Sequence, residues 1–293
     1  MTFQTEGNIS TISTDTLTNK TMDPTDSTMP YLSSYTYTIY VDGENVKARN
    51  NKTGSVEFSD VNLDSVILSI LGSGDASFEV MSGTYNLPGS FSGWNAVNAM
   101  TAFFHQDSVI KAPNGYSGYV WNFGTSTKYC NLTGGRYEEQ GNPLSDWTCI
   151  KFSPTNPHGT LFNTIRDVTA VQCKYVLHFL TDKGSWINSN HFENVLGDRC
   201  KYLMYFEHIG TFIPQTSGSN GNYFEHCVLQ SHDTAPQVLG GVLAVNGYCN
   251  KFDNCLIWDI VASNTRAPSM TISKNAGATM VKGGNINTFK LQR

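Results

Sequence analysis

The sequence predicts an all-β fold, a right-handed, single-stranded parallel β-helix with one coil per sequence repeat. Three observations lead there. A hexapeptide that opens with asparagine recurs as Asn163-Thr164-Ile165-Arg166-Asp167-Val168, at Asn190, at Asn222 and as Asn250-Lys251-Phe252-Asp253-Asn254-Cys255, at intervals of 27, 32 and 28 residues. Its template is Asn, any residue, apolar, usually charged, Asn/Asp/His, Val/Cys. A second repeat rides on the first, because Cys173-Lys174-Tyr175-Val176-Leu177-His178-Phe179 matches Cys200-Lys201-Tyr202-Leu203-Met204-Tyr205-Phe206, again 27 apart. Periods of about 20–50 residues mark stacked-repeat proteins. The third observation is chemical: the units are rich in β-branched and aromatic residues, with Gly, Asn and Asp at their joints, which is the chemistry of short strands and turns.

Bulk properties agree. The 293 residues are 39% hydrophobic, 12% aromatic and only 15% charged, with 26 glycines. That is enough apolar material for a core, and it suits a strand-and-turn solenoid better than helices. A net charge of −5 gives no reason to expect a nucleic-acid partner. No stretch approaches the roughly 18 apolar residues that insertion into a membrane as a helix requires. The first residues, Met1-Thr2-Phe3-Gln4-Thr5-Glu6, lack the basic and apolar regions of a secretory signal. The seven cysteines are odd in number and contain no Cys-x-x-Cys. Cys173 and Cys200 are equivalent, and so are Cys227 and Cys255, opposite Val168 and Val195. They are expected as core thiols, which suits folding in a reducing cytosol.

The elements follow in order. Residues 1–34 form a leader of Thr, Ser, Asp and Asn with few apolar anchors. Its four-way matches to the N-glycosylation pattern across the chain (at Asn8, Asn19, Asn51 and Asn131) are chance in so Asn- and Thr-rich a sequence without an export signal. Residues 35–59 are a hairpin and connector, with Tyr35, Tyr37, Ile39 and Val41 alternating against polar neighbours and Asp42-Gly43 as the turn. A capped helix is expected over about 64–71, where Asp64 precedes Ser65-Val66-Ile67-Leu68-Ser69-Ile70-Leu71 and Gly72 follows. The solenoid then occupies 60–293. Its early coils at 88–160 are less regular, with a protruding loop within 136–160. Ala278-Thr279-Met280-Val281-Lys282-Gly283-Gly284 resembles the Gly-Gly coil at 131–135, which carries the solenoid towards the end of the sequence. With no cap at Lys290-Leu291-Gln292-Arg293, either another subunit covers the last coil or the natural protein is longer.

Two local resemblances bear on family. Asp15-Thr16-Leu17-Thr18-Asn19-Lys20-Thr21-Met22-Asp23 resembles a short element of phage and viral tail-fibre proteins. The helix, a Gly turn, Ala76-Ser77-Phe78-Glu79-Val80 and then Gly83-Thr84-Tyr85 resemble the entrance of a pectate-lyase-like β-helix, in which a helix plugs the open first coil; Met81-Ser82 stands where such entrances have Pro. The resemblance implies a tailspike or tail-fibre role: a homotrimer on a virion or extracellular surface, folded in the cytoplasm, that binds a host-surface polysaccharide or other glycan. A polysaccharide-degrading hydrolase or lyase is the alternative, and a cell-surface adhesin a third.

Strand alternation nominates the site. If Phe192, Phe224 and Phe252 point inward, Glu193, Glu225 and Asp253 form one outward column. Asn194, His226, Asn254 and Asp167 would then turn inward again and ladder at a coil corner. Neighbouring coils lie about 4.8 Å apart, so the carboxylates have separations near those of glycosidase pairs. His191 shares their face, which makes Glu193, Glu225, Asp253 and His191 the catalytic candidates. Tyr223, Lys251 and Arg166 are the substrate-binding candidates, Tyr223 by stacking on a sugar ring. The competing reading is a solvated column whose charge Arg166 and Lys251 relieve. The Asn-Thr-Asp, Gly-x-Asp-Asp and Gly-His-Gly signatures of polygalacturonase-like enzymes are absent, as are phosphate-binding loops and His-Glu-x-x-His. No metal or cofactor is expected.

Overall fold

The computed structural model describes residues 34–141, 146–155, 157–209, 218–230, 242–245, 247, 249–257, 270–272, 278–286 and 289–291. The fibre-like string at 15–23, Pro143, Tyr248 and Trp258 lie outside them. The fold is a parallel β-solenoid with one helix at its start, as the repeats predict. Asn131–Glu139 pairs with Thr164–Arg166, which pairs in register with His191–Glu193, then Tyr223–Glu225, Lys251–Asp253 and Met280–Lys282. Past a corner the same coils continue as Thr169–Val171, Leu196–Asp198, Val228–Gln230, Leu256–Ile257 and Asn285–Ile286, also parallel. A second sheet stacks Tyr119–Phe123, Thr148–Phe152, Tyr175–Thr181, Tyr202–His208, Val242–Val245, Met270–Ile272 and Phe289–Leu291. A short third sheet joins Gly159–Leu161, Trp186–Asn188 and Gly218–Asn220.

Register turns the repeats into stacks. Phe192, Phe224 and Phe252 lie ring on ring, with centroids 4.8 and 4.7 Å apart. From the second sheet Phe152, Phe179 and Phe206 form a facing stack at 5.3 and 4.6 Å. The two stacks meet edge to face, Phe179 crossing Phe192 at 84° and Phe224 at 88°, the geometry that the aromatic quadrupole favours. The cysteines behave as small apolar residues: Cys130, Cys149, Cys173, Cys200, Cys227 and Cys255 are buried free thiols, while Cys249 is exposed.

The entrance is closed in two ways. The hairpin Tyr37–Asp42 and Asn45–Asn50 joins the large sheet by pairing in parallel with Ser77–Val80, and Val56–Asp60 adds a third, antiparallel strand. This covers the sheet edge that a first coil would leave open. The helix runs Leu63–Ser73, longer than the sequence suggests. Gly72 lies inside it, and Gly74, with φ 85°, makes the left-handed stop. Leu63, Val66, Ile67 and Ile70 are buried on one face, at helical spacing. Asp64 accepts a hydrogen bond from the indole of buried Trp94 at 2.9 Å, tying the plug to the first coil.

One expectation is reversed. The inward polar ladder is built not by Asp167, Asn194, His226 and Asn254 but by the first residue of each repeat. Asn163, Asn190, Asn222 and Asn250 are all buried. Each amide oxygen accepts from the backbone N–H one coil earlier: Cys130 to Asn163 (3.0 Å), Asn163 to Asn190 (3.0 Å), Asn190 to Asn222 (3.1 Å) and Asn222 to Asn250 (3.1 Å). The side-chain NH2 groups bond along the same column. Asp167, Asn194, His226 and Asn254 instead take φ of 54°, 52°, 51° and 49° and point outward. In register with Gly134 and Gly283, they make the corner. The left-handed conformation breaks the period-2 alternation there, and Asn, Asp and Gly tolerate it best.

Candidate functional site

The candidate residues form one strip on the first face of the large sheet, on adjacent coils, exposed or half-buried except for Asp253, which is buried. His191, Tyr223 and Lys251 are cross-strand neighbours in one column, and Arg166, Glu193, Glu225 and Asp253 in the next. Alternation holds along these three-residue strands because each lies between the buried asparagine and the left-handed corner.

Every carboxylate of the strip has a basic partner. Arg166 Nε lies 3.2 Å from Glu193, His191 Nε2 3.5 Å from Glu225, and Lys251 Nζ 3.2 Å from Asp253. Asp253 also accepts from the Tyr223 hydroxyl at 3.3 Å. Its hydrogen bond with Lys251 holds its carboxyl below the usual range against a smaller opposing effect of desolvation, and the same contact raises Lys251. Tyr223 has both ring faces occupied. His191, one coil back, stacks at 5.1 Å and 13°, and the Lys251 ammonium, one coil on, sits 4.4 Å from the centroid. The strip therefore offers hydroxyl, carboxylate and cation edges rather than an open ring face.

Next to it lies a groove of about 510 Å³ that the repeats do not announce. Phe103, Gln106, Thr133, Arg136, Asp167 and Asn194 line it. It exists because pairing of Thr101–Ala112 with Asn131–Glu139 shifts register between Phe104 and Val109, so that His105, Gln106 and Asp107 bulge at the corner. Asp167 and Asn194 thus face a groove instead of the core, and Asn194 donates to Asp167 across adjacent coils at 3.0 Å. Gly134, with φ 80°, is required there, since a Cβ would overlap the Phe104 carbonyl oxygen. The signal in the sequence was the Gly134-Gly135 pair beside an unusually long strand.

A second cluster lies on the outer face of the second sheet. Tyr175 stacks on Tyr202 at 5.4 Å and on Tyr205 at 4.9 Å, and His178 Nε2 lies 2.9 Å from Glu207 Oε2 on the next coil. Burial lowers the His178 pKa, with Glu207 opposing. Desolvation raises the Tyr202 and Tyr205 phenols. Of the other tryptophans and tyrosines that run along the solenoid, Trp121, Tyr137 and Trp147 are core, while Tyr116, Tyr119 and Trp186 are half-buried. Among the described residues no group of three or more His, Cys, Asp and Glu is placed to hold a metal ion, and no helix is long and apolar enough to cross a membrane.

No family model matches the sequence, and no curated protein matches it. Among solved structures, the chain is similar to PfbA, a surface adhesin of Streptococcus pneumoniae, at 8% identity and a TM-score of 0.25, over 78% of this chain and 86% of that one. It is also similar to the catalytic domain of a GH87 α-1,3-glucanase in complex with nigerose, at 9% identity and a TM-score of 0.16, over 79% of this chain and 66% of that one. Likenesses this slight bear on neither ligand nor chemistry.

Proposed function

We propose that the chain is a carbohydrate-binding solenoid of the tailspike or tail-fibre kind, which holds a surface glycan without cleaving it. The observation that carries this is that a basic side chain lies within 3.5 Å of every carboxylate of the strip. Cleavage of a glycosidic bond needs one carboxyl kept protonated beside a second group that works as base or nucleophile. Asp253 is driven the other way, towards the ionised form, by Lys251, and Glu193 and Glu225 each contact a basic side chain within 3.5 Å. A row of fixed donors and acceptors suits hydroxyl recognition. Glu193, Glu225, Asp253 and His191 then serve as polar contacts, with Lys251, Arg166 and the Tyr223 hydroxyl as their partners. The virion or extracellular surface and the homotrimer rest on the tail-fibre-like string at 15–23, and light scattering tests the trimer.

The enzymatic reading keeps one observation in its favour: Glu193 and Glu225 are direct cross-strand neighbours, a spacing of about 4.8 Å at the backbone, near that of a retaining pair. One experiment separates the two. The protein is applied to a glycan array, the bound glycan is recovered, and its products are analysed by mass spectrometry. Binding with the glycan intact is expected. Release of defined oligosaccharides by the wild type, lost in Glu225→Gln, would place an active site on this strip instead.

A further inference from the structure

The strip lacks one component of a sugar site, an open aromatic face, because His191 and Lys251 cover Tyr223. The structure provides such a face elsewhere. A second left-handed corner lies two residues before the first-face strand of each coil. In register this column holds Ala99, Tyr129, Phe162, Ser189, Gly221, Cys249 and Ala278, with φ between 50° and 60°. Small residues fill most of it, as the conformation demands, since a bulky side chain at positive φ is strained. Tyr129 and Phe162 break the rule on adjacent coils. Their rings are parallel within 8° at 5.5 Å, and they are 63% and 50% exposed, among the most exposed large apolar side chains of the described residues. Two aromatics held outward at a cost in backbone strain serve neither the core nor the turn.

We infer that Tyr129 and Phe162 form a stacking platform for a pyranose ring, a second carbohydrate contact distinct from the Glu193–Asp253 strip. The pair is bounded along its column by Ala99 and Ser189, too small to cover the outer ring faces. Beside it on the first sheet face stand exposed Asn131 and half-buried Thr164, two residues further along each strand. Aromatic faces flanked by an amide and a hydroxyl match a sugar, with its apolar C–H face and its rim of hydroxyls. A second copy of the chain fits less well. Two aromatic side chains of about 150–250 Å² each, little more than half uncovered, offer roughly a quarter of the ~800 Å² per partner that a stable interface buries. Nucleic acid stacking is disfavoured by the chain's net charge of −5. The inference rests on the carbohydrate reading above.

The test uses the full chain on a glycan array, then calorimetric titration with the oligosaccharide that binds best. Tyr129→Ala and Phe162→Ala are each expected to weaken binding about tenfold or more, with a melting temperature little changed, because the rings are exposed and alanine keeps the Cβ that makes the positive φ costly. Tyr129→Phe keeps the ring and should bind within about threefold. Should an alanine variant fold poorly, Phe162→Leu, which retains apolar packing but no flat face, must still weaken binding. If the wild type binds, Lys251→Ala weakens it and both alanine variants bind normally, the platform is refuted and the carbohydrate reading stands. If the wild type binds no glycan, that reading fails and the platform with it.

Discussion

Replacing Asn190 by alanine tests the feature on which the solenoid's register depends. The Asn190 amide oxygen accepts from the Asn163 backbone N–H at 3.0 Å and from the Asn163 side chain at 2.9 Å. Its NH2 donates to the Thr160 carbonyl at 3.2 Å and to Asn222 Oδ1 at 2.9 Å. Asn163, Thr160, Asn190 and Asn222 are all buried, so water cannot substitute. Alanine removes the acceptor of the Asn163 N–H and one donor to Thr160, while the Asn163 NH2 keeps Thr127 and Asn222 Oδ1 keeps the Asn190 N–H. Two buried groups losing a partner at about 1–3 kcal/mol each give an expected loss of about 2–6 kcal/mol. Urea unfolding measures it, and amide hydrogen exchange at Asn163 locates it. Because stability in a solenoid is shared between neighbouring coils, protection should fall most in the coils either side of Asn190. Thr164→Ala, on the outer surface of the same sheet, should stay within about 0.5 kcal/mol. A loss below about 1 kcal/mol for Asn190→Ala would refute the claim that the ladder holds the coils together.

Three further outcomes are expected. Lowering the pH from 6.5 should destabilise the protein through His178, whose pKa burial depresses below the ordinary histidine value: the unfolded chain takes up the proton first, so the stabilisation is complete above 6.5 and is lost as the pH falls towards the folded pKa. Glu207 opposes the shift while Lys151 and Lys174 add to it, and His178→Gln should flatten that part of the stability profile measured by thermal melts. A water-soluble disulfide reagent should label Cys249 first and alone in the native protein, since the other six thiols are buried and desolvation pushes Cys130 up to about 11; rapid native labelling in Cys249→Ser would contradict the burial. Gly134→Ala should cost more than about 1 kcal/mol in urea unfolding, because its φ of 80° and the adjacent Phe104 carbonyl leave no room for a Cβ, and a neutral effect would mean that the groove wall yields.

What the sequence reveals here is whatever repeats. The Phe192, Phe224 and Phe252 stack and the outward strip followed from applying period-2 alternation to aligned hexapeptides, and they lie within short straight strands; the cysteines followed from equivalent places in the repeats, just past the left-handed corners. The alternation failed at its fifth position because the chain turns there through a left-handed residue. The cue was the residue set itself, Asp167, Asn194, His226 and Asn254 against Gly134 and Gly283, which is the set that tolerates positive φ. The ladder had an equally plain cue, since asparagine opens all four repeats, and only a buried reciprocal bond calls for one side chain so strictly. The groove left no repeating trace, only the single Gly134-Gly135 pair. It comes from a register shift inside one long strand, an event that occurs once.

The same argument explains why the strongest exposed feature escaped a reading based on repeats. Tyr129 and Phe162 occupy a corner whose other occupants among the described residues are Ala99, Ser189, Gly221, Cys249 and Ala278, so alignment of the coils presents them as irregularities in a turn. The physical constraint makes them the opposite of noise. A left-handed corner selects small residues, at a cost of roughly 1–3 kcal/mol for one that is not suited to it. Burial would offset that cost in a core position, but these two rings are more than or about half exposed and among the described residues have only each other as an aromatic contact. Stability alone would favour glycine or asparagine at both positions. In a stack of near-identical coils, a costly departure that gains no burial points to selection for something outside the chain, and on this molecule it lies on the corner that borders the polar strip of His191, Tyr223 and Lys251.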